Sequence, residues 1–133
     1  MEEVRTISEY YTELGDKVIR ENSKLHWIAD VGLSVGFMKS NKEKTKGKAL
    51  VFGECEKVPA KYKEFIPYDF LITVYEINCA GFTEEQIKIL LYHELLHVGM
   101  DDSGKEVKYI INPHDVEDFR EIIDKYGLDW CKS

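Results

Sequence analysis

The segment Thr83 to Val98 constrains this chain more than any other. Thr83-Glu84-Glu85-Gln86 has the form of a capping box, with two acids placed where the helix dipole favours negative charge. Behind it come Ile87, Ile89, Leu90, Leu91, Leu95 and Leu96, which put apolar side chains on most sides of a helix over about Glu84 to Val98. A helix without a polar face must be covered from several directions. It is therefore predicted to be the central, largely buried element, stopped by Gly99. A chain of 133 residues has room for one such core, so a single domain over residues 1–133 is expected.

Inside that helix lies His93-Glu94-Leu95-Leu96-His97, the HExxH pattern. Residues four apart on a helix differ by about 40° around its axis, so both imidazoles project from one face, a turn apart. That geometry lets two nitrogens take adjacent corners of a tetrahedron around Zn²⁺. Glu94 is rotated by about 100° from His93, which makes it no third ligand but allows it to reach a metal-bound water as general base. Two polar rings among leucines would be costly to bury for structure alone.

A tetrahedral zinc site needs a third protein ligand and leaves its fourth corner to water. His114, 17 residues after His97 and directly after Asn112-Pro113, is the first candidate. Asp115, Glu117, Asp118 and Glu121 are rivals, because a Glu on a following helix could serve instead. His26, beside Trp27, reads as structural. Two related patterns are excluded by direct reading. HExxHxxGxxH would need glycine at Met100 and histidine at Ser103. HGxLHxxGxDH lacks the glutamate at position 94 and also needs histidine at position 103.

The rest of the chain reads as an α+β domain: one small, mostly antiparallel sheet and three helices, with HExxH on the central one. Thr6-Ile7-Ser8-Glu9 suggests a capping box for a first helix, whose stripe is Ile7, Tyr10, Tyr11, Leu14 and Val18. His26 to Met38 reads as a strand with a bulge or close approach at Gly32 and Gly36. The polar run Lys39 to Lys48 then connects it, as a β-hairpin, to a strand over Ala49 to Cys55. Pro59 and Pro67 bracket a loop or helical turn, and Asp69 to Ile77 is the third strand. Met100 to Ile111 is a loop with a short strand at Val107 to Ile111. Asn112-Pro113 opens a last helix carrying Val116, Phe119, Ile122, Ile123 and Tyr126, with Gly127 as its stop.

Composition narrows the partners. Lys+Arg total 18 and Asp+Glu 25, a formal charge of −7, which disfavours nucleic acid as a partner of the whole molecule. Lys39, Lys42, Lys44, Lys46 and Lys48 alternate along the connector and read as a solvated loop. MEEVRTISEYY has neither the basic nor the apolar region of a signal peptide, and no stretch is apolar enough for a membrane span. Cys55, Cys79 and Cys131 are far apart and form no CxxC. A cytoplasmic protein with reduced thiols, making no use of a membrane, is expected.

His93-Glu94-Leu95-Leu96-His97-Val98, followed by His114-Asp115-Val116-Glu117-Asp118-Phe119, resembles the phage metallopeptidases, a minimal zincin group similar to SprT-like proteins. Tyr68-Asp69-Phe70-Leu71-Ile72 and Tyr126-Gly127-Leu128-Asp129-Trp130 also look like that group, so the likeness runs from about Ala49 to Trp130. The resemblance implies a zincin-like peptidase fold, with His93, His97 and His114 as Zn²⁺ ligands and Glu94 as base. The chain departs from full-length SprT-like proteases in lacking a Cys-rich zinc ribbon, which weakens any link to DNA-coupled proteolysis.

The function expected is therefore a zinc metallopeptidase acting on a peptide or protein substrate, in which Glu94 activates a zinc-bound water. The rival is a catalytically idle zinc domain that binds a partner protein. Asp101, Asp102 or Asp115 would orient the ligand imidazoles. Tyr92 or Tyr109 would meet the oxyanion, and an edge strand over Asp69 to Ile77 would align the substrate.

Overall fold

The computed structural model describes residues 2–101, 104 and 108–112. Phe70-Leu71-Ile72-Thr73-Val74-Tyr75 has the β-branched and aromatic content of a strand buried on both faces, and Phe70–Tyr75 is that strand. In chain order the elements are β1 (Arg5–Ile7), α1 (Glu9–Glu21), α2 (His26–Asp30), β2 (Val35–Ser40), β3 (Thr45–Lys46), β4 (Ala49–Leu50), β5 (Gly53–Lys57), β6 (Phe70–Tyr75), α3 (Glu84–Leu95), β7 (Val98–Asp101) and β8 (Lys108–Ile111). The main sheet has the order β1-β2-β6-β5, and β3-β4 and β7-β8 form two-stranded sheets of their own. Every pairing is antiparallel except β2 with β6. Among the described residues this is a small α+β domain with three helices and mostly antiparallel sheets, the fold class that the sequence predicts, although α2 stands where a strand is expected and the strands form three sheets rather than one. Among the described residues no helix is long and apolar enough to cross a membrane.

The core lies between the sheet and its helices. Phe37 of β2 stands opposite Ile72 of β6 and, with Phe70 and Val74, faces Tyr11, Leu14 and Val18 of α1 and Leu90, Leu91 and Leu95 of α3. α3 packs against both α1 and the sheet, which is why its sequence has no polar side. The opposite face of β6 is buried under polar groups. The Tyr75 hydroxyl donates to Glu54 (2.8 Å) and accepts from Arg5 (3.2 Å).

Several expectations are corrected. The first helix starts two residues later than Thr6 suggests: Ser8 is its cap, accepting from the Tyr11 amide at 3.1 Å, while Thr6 is paired with Lys39 in the sheet. His26 to Met38 is not one strand. It begins as α2, turns at Gly32, whose φ of 70° suits glycine, and becomes extended only from Val35. The segments around the lysine connector are not hairpin partners, because β6 lies between β2 and β5, and the connector folds on itself as β3-β4. That arrangement also removes Asp69 to Ile77 from the edge: β6 is interior, and among the described residues β5 ends the sheet beside it. Finally, α3 stops at Leu95 and Gly99 belongs to β7, so part of the expected loop is a strand paired with β8.

The expected turn between Pro59 and Pro67 is present as a 3-10 turn at Ala60–Tyr62. Cys55 and Cys79 are free thiols. The helix expected after Pro113 lies outside the described residues, as does Cys131.

Candidate functional site

The last turn of α3 presents His93 and Glu94, and His97 follows immediately beyond it. Leu96 keeps near-helical backbone angles, and the His97 amide donates to the Glu94 carbonyl at 3.0 Å. The helical spacing thus survives its last hydrogen bond, and the two imidazoles lie edge to face with centroids 5.6 Å apart. Glu94 is only 5% exposed, and its Oε1 is 4.0 Å from His97 Nε2. HExxH therefore places half-buried His93 beside His97, and the buried Glu94 carboxyl next to His97, at the end of α3.

β5 packs against α3. Gly53 and Cys55, opposite Val74 and Ile72, lie on the face of β5 turned toward α3. A Cβ on Gly53 would come 3.2 Å from the Thr73 carbonyl oxygen, 3.3 Å from Leu90 Cδ1 and 3.4 Å from Glu94 Cγ, so strand and helix pack closely beside the carboxylate. Burial pushes the Glu94 carboxyl up to about 8. Burial first, and the Glu94 charge second, push the Cys55 thiol well above its ordinary value, so it stays a neutral thiol. A cation beside Glu94 would pull the carboxyl back toward ionisation.

The nitrogen inventory of His97 decides what the site can hold. Its Nδ1 lies 2.7 Å from the carbonyl oxygen of Asn112. A carbonyl only accepts, so Nδ1 carries the proton, and Nε2 of the neutral ring is the lone-pair nitrogen. That is the arrangement in which metal-ligating histidines are held, one nitrogen donating to an oxygen and the other facing the metal. The two imidazoles are donors of a kind that a divalent metal takes, with the Glu94 carboxyl beside His97. Among the described residues no group of three or more His, Cys, Asp or Glu is placed to hold a metal ion. His114, the expected third ligand, and its rivals Asp115, Glu117, Asp118 and Glu121 lie outside the described residues.

The other candidates separate. His26, on α2, bonds through Nε2 to the Arg20 carbonyl (2.8 Å) and joins α1 to α2, a structural role as expected. Lys44 pairs with Glu54 and lies 5.6 Å from the Tyr75 ring centroid, while Lys39, Lys42, Lys46 and Lys48 are exposed. Tyr92 is buried in the core, whereas Tyr109, on β8, is half-buried with its ring 6.1 Å from that of Phe70. Asp101 is exposed and paired with Lys108 across β7-β8. The His97 contact made by Asn112 was missed by sequence reasoning, which looked for an acidic side chain. The accepting atom is a main-chain carbonyl, and any residue carries one.

The family described as "Putative phage metallopeptidase" matches residues 5–133. The chain belongs to this family. A metallopeptidase family implies a metal cofactor, and His93 and His97 are side chains of a kind that ligates one. The match starts within β1, so the family spans α1 and the whole main sheet as well as the stretch from Ala49 onward. No curated protein and no solved structure matches the chain.

Proposed function

We propose that the protein is a zinc-dependent peptidase, with His93, His97 and His114 holding the metal and Glu94 acting as general base. The observation that carries this reading is the His97 ring, whose Nδ1–H is committed to the Asn112 carbonyl so that Nε2 is the lone-pair nitrogen beside His93 and Glu94. Zinc bound there would supply Lewis acidity, making water a better nucleophile at neutral pH and polarising a peptide carbonyl.

The chain's own residues do the rest. Glu94 accepts the proton of the attacking water on a carboxylate oxygen and delivers it to the departing amine. The low-dielectric corner between α3 and Gly53 strengthens every charge interaction made there. Among the described residues β5 ends the main sheet, and its Gly53 lies against Glu94, so the β5 edge is where an extended peptide would be aligned near the carboxylate.

The test is Glu94→Gln, assayed on a substrate found by digesting a peptide library. Metal content and fold should persist while turnover falls by about 10²–10⁴-fold, the usual contribution of a general base. Unchanged turnover would refute the role of Glu94, and binding of a partner protein without any cleavage would favour the idle zinc domain. For the third ligand, His114→Ala should lose zinc in a chelator titration far more readily than Glu117→Ala. The reverse order would assign that place to the glutamate.

A further inference from the structure

We propose that Asn112 is a positioning residue for His97, and that together with Gly99 it forms a clamp fixing which imidazole nitrogen is offered to the metal. The inference rests on the metal-site reading above and adds residues to it. It starts from a convergence of hydrogen bonds. The Asn112 amide N–H donates to the His97 carbonyl at 2.7 Å, and the Asn112 carbonyl accepts from His97 Nδ1, also at 2.7 Å. The Asn112 side chain is engaged with the same segment: Nδ2 lies 3.2 Å from the Leu96 carbonyl and 3.4 Å from the Val98 carbonyl. One residue therefore holds both main chain and ring of His97 and touches the carbonyls on either side of it.

These carbonyls lie where a helix end leaves acceptors without helical donors. Asn112 serves them from a strand end 15 residues away in sequence. Gly99 makes the contact possible. A Cβ at position 99 would stand 2.6 Å from Asn112 Oδ1 and 2.9 Å from its Cγ, so any side chain there pushes the asparagine away. The β7-β8 ladder, with Gly99 opposite Ile110 and Val98 opposite Ile111, brings Asn112 to this place.

The chemistry of the contact is directional. Were the clamp to loosen, the neutral ring could carry its proton on Nε2 and present Nδ1, the wrong nitrogen for a site shared with His93. Residues that orient a metal-bound histidine typically change metal affinity about 10–100-fold when altered.

The experiment compares wild type with Asn112→Asp, which keeps the shape but removes both amide donors, and with Gly99→Ala, which displaces the side chain by sterics. The first readout needs no metal: long-range proton–nitrogen correlation of the His97 ring in chelator-treated protein at pH 8, where an ordinary imidazole is neutral. Wild type should show the proton on Nδ1, and both variants a mixture with Nε2–H. The second readout is competition with a chromophoric chelator, in which both variants should bind zinc about 10–100-fold more weakly. A dispersed amide spectrum certifies the fold. If Gly99→Ala fails to fold, Asn112→Asp decides alone. His97 keeping its Nδ1–H tautomer in the folded variants, with zinc affinity within about twofold of wild type, would overturn the proposal. Wild type that binds no zinc, yet shows an Nδ1–H tautomer that the variants lose, would contradict the metal-site reading while upholding the clamp.

Discussion

Asp69 and Glu94 are both carboxylates largely withdrawn from water, and their surroundings treat the charge in opposite ways. Asp69 stands directly before β6 and is fully engaged. Its Oδ2 accepts from the Ser34 amide (2.9 Å) and hydroxyl (3.2 Å), and its Oδ1 is paired with Lys63. Burial works against its charge, but Lys63 and Ser34 outweigh burial and hold the carboxyl below the usual range. At Glu94 burial dominates and the carboxyl rises to about 8. The first environment already satisfies the charge, so Asp69 is a structural tie joining Ser34 to β6. The second leaves a charge that is favourable only when a cation or an acidic proton arrives, which is what a catalytic base requires.

The largest effect expected from this contrast is at Glu94, measured by chemical denaturation of metal-stripped protein. A carboxyl raised in the folded state makes that state bind protons more tightly, so stability is greatest below the unfolded value and declines as pH rises from 4.5 to about 8. Glu94→Gln should remove the decline and leave the metal-free mutant more stable than wild type at pH 8 by up to a few kcal/mol, each tenfold change in proton affinity being worth about 1.4 kcal/mol. A mutant less stable than wild type at that pH would mean that the buried charge is already compensated.

At Asp69 the sign reverses. A depressed carboxyl contributes stability above its unfolded value, and that contribution is lost as pH falls through the folded value. Asp69→Asn should cost about 1 kcal/mol at pH 7, discounted for the exposed Lys63, and the two proteins should converge in acid. A deficit independent of pH would show that the Ser34 bonds, rather than the charge, carry the tie.

The smallest and most local effect is expected at the far end of α3. Thr83 accepts from the Gln86 amide (3.2 Å) and Gln86 Oε1 accepts from the Thr83 amide (2.8 Å), so Thr83→Ala should cost about 0.5–2 kcal/mol of stability. Metal affinity should not change, since a helix of 12 residues separates cap and site by about 18 Å. A mutant with weakened metal binding would show that the helix transmits changes along its length.

The two ends of α3 also show what can be read from the sequence. The capping box is complete within four residues, and the placement of Glu94 and its histidine neighbours follows from helical spacing, so both are legible in the residues alone. Where the helix stops is not. Leu95 is followed by a turn because β7 pairs with β8 and Asn112 takes the carbonyls of Leu96 and Val98, interactions set by residues more than a dozen positions away. The same distinction explains the sheet. The strand character of Phe70–Tyr75 is local. Its insertion between β2 and β5 is a choice of partners, and neighbouring apolar segments around a polar connector look like a hairpin whether or not another strand separates them. His26 to Asp30 misled because Trp27 and Ile28 favour strands in isolation, while here Ile28 is buried in a helical turn that Gly32 ends.

The most direct test is of the metal itself. Elemental analysis of protein expressed in zinc-replete medium, for wild type beside His97→Ala, should give about one zinc per chain in wild type and a large deficit in the variant, because losing one imidazole leaves too few ligands for a tetrahedral site. Wild type free of transition metal, or a His97→Ala protein holding as much zinc as wild type, would contradict a zinc centre built on HExxH.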